Sequence, residues 1–254
     1  MHTLTKLYAK KMFRQKLIYI FFACFLTASF CYSFLISSPQ MEEMLNIDIA
    51  IVGEENFPEF MMRFYIGTVG ILFQVFLLTL YFCNEDRAKM LYQPLLHGVS
   101  RGGMIKSKVL VAVGMSMIFV LFIAIINYIT SFMRWGYSIF EIEAFMRTVV
   151  KYVLSVVYMS WVTLGMIALC IGTRNTWKTI VITIIYMILD SFICSTNVLF
   201  LKKIWMGYYP HLWMFSYEYQ EIPFKDVIWG ITIMVIYGIF FYRFTRNKIK
   251  KLDF

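Results

Sequence analysis

Long apolar runs alternate with short polar stretches along this chain. About 20 consecutive apolar residues carry a helix across the hydrocarbon of a bilayer. Six runs approach or exceed that length: 17–36, 62–83, 109–131, 144–171, 179–201 and 227–242. The pattern predicts an all-α integral membrane protein, a single transmembrane domain over 1–254 with six transmembrane helices. Residues 1–16 follow a different rule. On a helix, Lys6, Lys10 and Arg14 fall on one side and Leu4, Tyr8 and Met12 on the other. This predicts an amphipathic N-terminal helix lying in the interface of an anionic leaflet.

The stretches between the runs differ in kind. The loop 37–60 holds Glu42, Glu43, Asp48, Glu54, Glu55 and Glu59 and no Lys or Arg. The loop 84–108 opens on Glu85, Asp86, Arg87 and Lys89, continues as a short amphipathic piece from Met90 to Leu96, and is expected to break at Gly98, Gly102 and Gly103. The loop 172–178 is short, and the tail 243–254 is basic. The stretch 202–226 is too broken by Gly207, Pro210 and Pro223 to span, yet it is dense in Trp and Tyr. Irregular backbone enters a membrane only where protein or water satisfies its polar groups. The composition fits a re-entrant aromatic segment between the fifth and sixth spans, hinged near Tyr209 and Pro210; an aromatic belt at the interface is the competing reading.

Composition agrees with a membrane protein. The chain is 60% hydrophobic and 15% charged, with a mean hydropathy of +0.69; a soluble domain is nearer half apolar and one quarter charged. The net charge of +9 does not point to nucleic acid, because the bases flank apolar runs and suit a phospholipid surface. Of the 24 Lys and Arg, 17 lie on the side of the N-terminus, loop 84–108, loop 172–178 and the tail. Both termini are therefore expected in the cytoplasm, N-in and C-in, in a multi-pass plasma-membrane protein, with a bacterial source expected. The five cysteines form no Cys-x-x-Cys pair, so neither a disulfide framework nor a metal site is expected.

Motifs for chemistry are missing. Gly102, Gly103 and Lys106 lack the spacing of a phosphate-binding loop, and no G-x-S-x-G or H-E-x-x-H occurs. His2, His97 and His211 are far apart in sequence, and no nucleophile can be paired with a base. The chain is therefore not expected to be an enzyme. Intramembrane polar residues remain. Asp190 sits about 16 Å below the outer end of the fifth span and Lys151 about 10 Å below that of the fourth. A carboxylate at such depth marks a functional site by default, and a Lys151–Asp190 contact is expected. Asn127 joins them as a polar residue of a possible transport path, although it and Gln74 also suit helix–helix hydrogen bonding.

The layout resembles the permease subunit of ABC-2-type transporters. The residues that carry the resemblance are Leu95, Leu96, His97, Gly98, Val99, Ser100 and Arg101, with Ile105 and Lys108 after them. They are similar to the family's first cytoplasmic loop, a leucine pair and small residue, then Val-Ser-Arg, then Ile and Lys at the head of the third span. The resemblance implies that this loop is a coupling helix between spans 2 and 3, docking into a separately encoded P-loop ATPase through Glu85, Arg87, Leu91, Leu95, Leu96, Val99, Ser100 and Arg101. ATP and magnesium would then belong to that partner, expected in two copies, with no cofactor held by this chain. A second permease copy, as a homodimer, would complete the complex. The small size is similar to permeases that export antimicrobial or cytolytic peptides, or give immunity to them, of the phenol-soluble modulin exporter kind. The implied function is export of amphipathic peptides, with Tyr208, Tyr209, Pro210 and Trp213 closing the path outside. Export of lipids or drugs, or the substrate-binding component of an energy-coupled small-molecule importer, are the alternatives.

Overall fold

The computed structural model describes residues 2–14, 16–36, 54–64, 66, 70–72, 74–76, 78–79, 100–195, 199–205, 207–209 and 224–250. The described residues are helical with no strand. In chain order the helices are α1 (His2–Phe13), α2 (Lys16–Ile36), α3 (Phe57–Phe64), α4 (Arg101–Trp135), α5 (Ile142–Thr173), α6 (Thr176–Ser195), α7 (Leu199–Ile204) and α8 (Phe224–Lys250). Four helices among the described residues are long and apolar enough to cross a membrane: Gly102–Phe140, Ile142–Thr173, Thr176–Cys194 and Phe224–Lys248. A shorter apolar stretch, Ile18–Ala28, lies within α2.

The core is built on α4 and α5. Some 61% of the apolar core of α5 is buried, against 12% for α6 and 11% for α8, which leaves the last two with broad uncovered faces. A hairpin joins α4 to α5. Gly136 closes α4 with φ 64°, a conformation that costs glycine nothing, and its N–H returns to the Phe132 carbonyl. A 3-10 turn over Gly136–Phe140 then buries Ile139 and stacks Phe140 on Tyr128 at 5.9 Å. Helices α5 and α8 approach where α5 has little side chain: the Phe241 ring lies against Gly165 and the Phe244 ring against Gly172. Small residues at such crossings are how helices pack closely in lipid, where no hydrophobic force drives them together.

The start of α4 corrects one expectation. Gly102 and Gly103 do not break the chain; they form the first turn of α4, eight residues before the predicted span. Ser100 makes this possible. Its backbone is extended (φ −65°, ψ 142°) and its Oγ accepts from the Gly103 N–H at 3.1 Å, satisfying an N–H that a helix start leaves orphaned. Replacing Ser100 with Ala is expected to cost about 1 kcal/mol, read as a lowered melting temperature in detergent.

The extra turns of α4 also change the role of α1. Tyr8 and Met12 are buried against protein, with Leu4 and Ala9 packed beside them, while Lys6, Lys10 and Arg14 are exposed. The sides of α1 are as the sequence predicts, but its apolar side rests on α4 as well as on the rest of the core. Lys108 of α4 is buried with its Nζ 5.3 Å from the Tyr8 ring centroid, a cation–π contact that ties the two helices.

The α5–α6 connection is a tight clip. Arg174 takes a left-handed conformation (φ 50°, ψ 20°) and closes α5 through its N–H to the Cys170 carbonyl. Asn175 Oδ1 then accepts from the Trp177 and Lys178 N–H groups at 3.0 and 3.3 Å, and the Thr173 and Thr179 hydroxyls meet at 2.6 Å.

Candidate functional site

The most charged place inside the described bundle is formed by α3 and α5. Glu59 of α3 is 0% exposed and Lys151 of α5 is 1% exposed. Lys151 Nζ donates to Glu59 Oε1 at 2.5 Å, and Arg147 Nε donates to Glu59 Oε2 at 3.2 Å. Arg147 also donates through its terminal nitrogen to Asn56 Oδ1. Arg147, Lys151 and Ser155 are spaced at i, i+4 and i+8, so they form one stripe on α5. Ser155 Oγ reaches Met62 Sδ at 3.8 Å, so the whole stripe faces α3. Apolar contacts hold α3 in place around the charge: Phe57, Met61 and Met62 are buried, and the Phe57 ring meets Trp135 of α4 edge-on at 6.1 Å. One carboxylate thus faces two cations near the start of α5.

The expected Lys151–Asp190 contact is not formed. Depth arithmetic matched the two residues, but Glu59 reaches Lys151 first, from a helix that the sequence assigns to the end of a loop. A signal was available: six acids without a base precede a pair of bases four residues apart at the start of the fourth span.

Asp190 of α6 has partners of its own. Its Oδ1 accepts from Trp205 Nε1 at 2.5 Å and from Tyr186 OH at 3.5 Å. The Tyr186 and Trp205 rings stack at 5.8 Å and 19°. Trp205 follows α7, so α7 must turn the chain back for its indole to reach a residue fifteen positions earlier. Gly207 then lies so close to the carboxylate that a Cβ there would collide with Asp190 Oδ1. No basic side chain pairs with Asp190 among the described residues.

Asn127 belongs to neither site. It is buried on α4 and donates through Nδ2 to the Tyr152 hydroxyl of α5 at 2.9 Å. Gln74 donates to the hydroxyls of Ser116 on α4 and Thr163 on α5, which share a 2.6 Å hydrogen bond with each other. Both residues therefore make the helix–helix bonds that their chemistry suggests.

Of the expected docking residues, Ser100 is the cap described above and Arg101 opens α4. Glu85, Arg87, Leu91, Leu95, Leu96 and Val99 lie outside the described residues. Of the expected outer gate, Tyr208 and Tyr209 pack edge-to-face at 5.2 Å with Tyr209 buried, while Pro210 and Trp213 lie outside the described residues. No group of His, Cys, Asp and Glu among the described residues could hold a metal ion.

The family model of the ABC-2 family transporter protein matches residues 8–190. This chain belongs to the ABC-2 transporter family. It is thus the membrane permease component of an ABC transporter, which implies a partner ATPase. The ABC-2 match runs from Tyr8, where α1 meets α4, to Asp190, and so includes the Glu59–Lys151 site. No curated protein and no solved structure matches the chain.

Proposed function

We propose that this ABC-2 permease works as a homodimer with two ATPase copies and exports amphipathic peptides of the antimicrobial or cytolytic class. In this reading six spans cross the plasma membrane with both termini in the cytoplasm. ATP and magnesium stay in the ATPase, and the loop 84–108 docks into it through Leu91, Leu95 and Leu96, rimmed by Glu85, Arg87 and Arg101. The path runs between protomers along spans 1, 2 and 5, and the aromatic segment around Tyr208, Tyr209, Pro210 and Trp213 closes it outside.

The observation that carries this reading is the continuity of α4. It is one uninterrupted helix of 35 residues starting at the capped Ser100, directly after the docking loop. At about 1.5 Å per residue it is roughly 52 Å long, more than the thickness of the hydrocarbon. Its far end, Arg134 and Trp135, touches Phe57 of α3, the helix that carries Glu59. A push at the docking loop therefore has a stiff path to the outer ion pair. The 18 methionines and 25 phenylalanines support an amphipathic cargo, since such walls adapt to varied apolar shapes.

The test is co-expression with the P-loop ATPase that this reading pairs with the permease. Leu95→Asp with Leu96→Asp is expected to abolish co-purification while membrane insertion stays normal. Intact co-purification would refute docking through this loop. ATPase activity of the purified complex is expected to rise with cytolytic peptides. A rise only with lipids or drugs, or a single permease chain per complex with a tightly held small molecule, moves the assignment to the corresponding alternative.

A further inference from the structure

A cleft of about 530 Å³ lies between α5 and α8, reaching Val109 of α4. Its walls are apolar, with Trp161 and Leu164 on α5 and Val235 and Ile239 on α8. At one end stand Arg243 and Arg246. They are three residues apart, so they share a face of α8. Neither makes an ion pair among the described residues. The lining residues of α8 run from Ile231 to Arg246, about 22 Å along the helix axis. One leaflet supplies roughly 15 Å of hydrocarbon plus its headgroup layer, so the cleft matches a single leaflet in depth. Trp161 adds a polar mark. It is 6% exposed, and its indole N–H has no hydrogen-bond partner among the described residues. Its ring centroid lies 6.0 Å from that of Phe241, which places the indole about one helical turn below Arg243 and Arg246.

We infer that this cleft binds one anionic phospholipid, its phosphate on Arg243 and Arg246 and its acyl chain along Val235 and Ile239. The charge selects the occupant. Two guanidiniums at an apolar mouth match an anionic amphiphile, and guanidinium geometry suits a phosphate in two-point contact. A second copy of this chain would have to bring carboxylates to the same mouth, and the last turns of α8 itself, with Arg243, Arg246 and Lys248, carry only bases. The bound lipid would cover part of α8, whose apolar core is only 11% buried.

The experiment is native mass spectrometry of the permease released from bilayers of equal phosphatidylglycerol and phosphatidylcholine. The protein is expected to retain phosphatidylglycerol preferentially. Arg243→Gln with Arg246→Gln is expected to lower that retention about 25-fold, roughly fivefold per arginine. Arg243→Lys with Arg246→Lys, which keeps the charge, should retain most of it. Val235→Trp, at a half-exposed position on the cleft wall, should expel the lipid without touching the arginines. Equal retention of both lipids by the native chain, or unchanged retention in the double Gln variant, overturns the inference. So does a Val235→Trp protein that keeps its phosphatidylglycerol but falls from dimer to single chain, since the cleft then belongs to a second copy. Lipid retention is read without an ATPase or a cargo, so its outcome is independent of the proposed export function.

Discussion

Glu59→Gln is expected to destabilise the permease by about 3–5 kcal/mol, the range for removing one partner of a buried ion pair. The change leaves Lys151 charged, 1% exposed and without its carboxylate, beside a second cation. The reverse change is milder. In Lys151→Gln, Glu59 still accepts from Arg147 Nε, so the loss is that of one partner, about 1–3 kcal/mol. Combining the two should recover most of the larger loss, because a pair of amides needs no countercharge and Arg147, with a side chain 20% exposed, can turn toward the headgroups. Thermal unfolding in detergent measures this: Glu59→Gln should melt roughly 10 °C lower. A Lys151→Gln loss that instead couples to Asp190→Asn, and adds independently to Glu59→Gln, would show that Lys151 answers to the other carboxylate.

Gly207→Ala should cost about 2–3 kcal/mol, and Asp190→Ala should remove most of that cost. A methyl group at Gly207 occupies the position of Asp190 Oδ1, so the carboxylate must rotate away and give up the Trp205 N–H. A hydrogen bond to a charged group is worth about 1.5–3 kcal/mol. In an Asp190→Ala background there is nothing left to displace, and the same methyl is tolerated. The double-mutant cycle therefore carries the prediction. Additive losses would mean that Gly207 is needed for its backbone alone. Trp205 fluorescence should shift with Gly207→Ala and with Asp190→Ala, since each frees the indole.

Much of the architecture follows from local pattern. Among the described residues, four helices long and apolar enough to cross a bilayer overlap the runs 109–131, 144–171, 179–201 and 227–242, because such runs have few other solutions, although the third of them ends at Ser195, short of the predicted 201. The turn after Trp135 is signalled by Gly136, and the sides of α1 by its charge spacing. The sites were harder. Glu59 and Lys151 meet across 92 residues, and α3 has only eight residues, so nothing local separates it from the acidic loop before it. Whether a carboxylate at a loop end is wet or buried depends on which stripe of α5 faces it. Asp190 was visible as a lone acid in an apolar run. Its partner was not, because Trp205 reaches it only through the reversal at α7, within a stretch whose composition shows aromatic density and no direction. The glycines at the head of α4 point the other way for a related reason: the Ser100 cap offsets only part of the roughly 1 kcal/mol that each glycine costs a helix, and the rest comes from tertiary burial of Met104 and Ile105 in the next turn, which no local pattern announces.

The clip between α5 and α6 has one more consequence. A left-handed residue with a side chain costs about 1–2 kcal/mol, and glycine would cost almost nothing. The chain keeps Arg174 there, with Lys178 four residues on, at the tip of a hairpin between two membrane-crossing helices. A guanidinium at such a tip cannot be drawn through hydrocarbon cheaply. A charged knuckle of this kind is therefore expected to anchor the α5–α6 turn at the bilayer surface, where a glycine in the same conformation would leave it neutral.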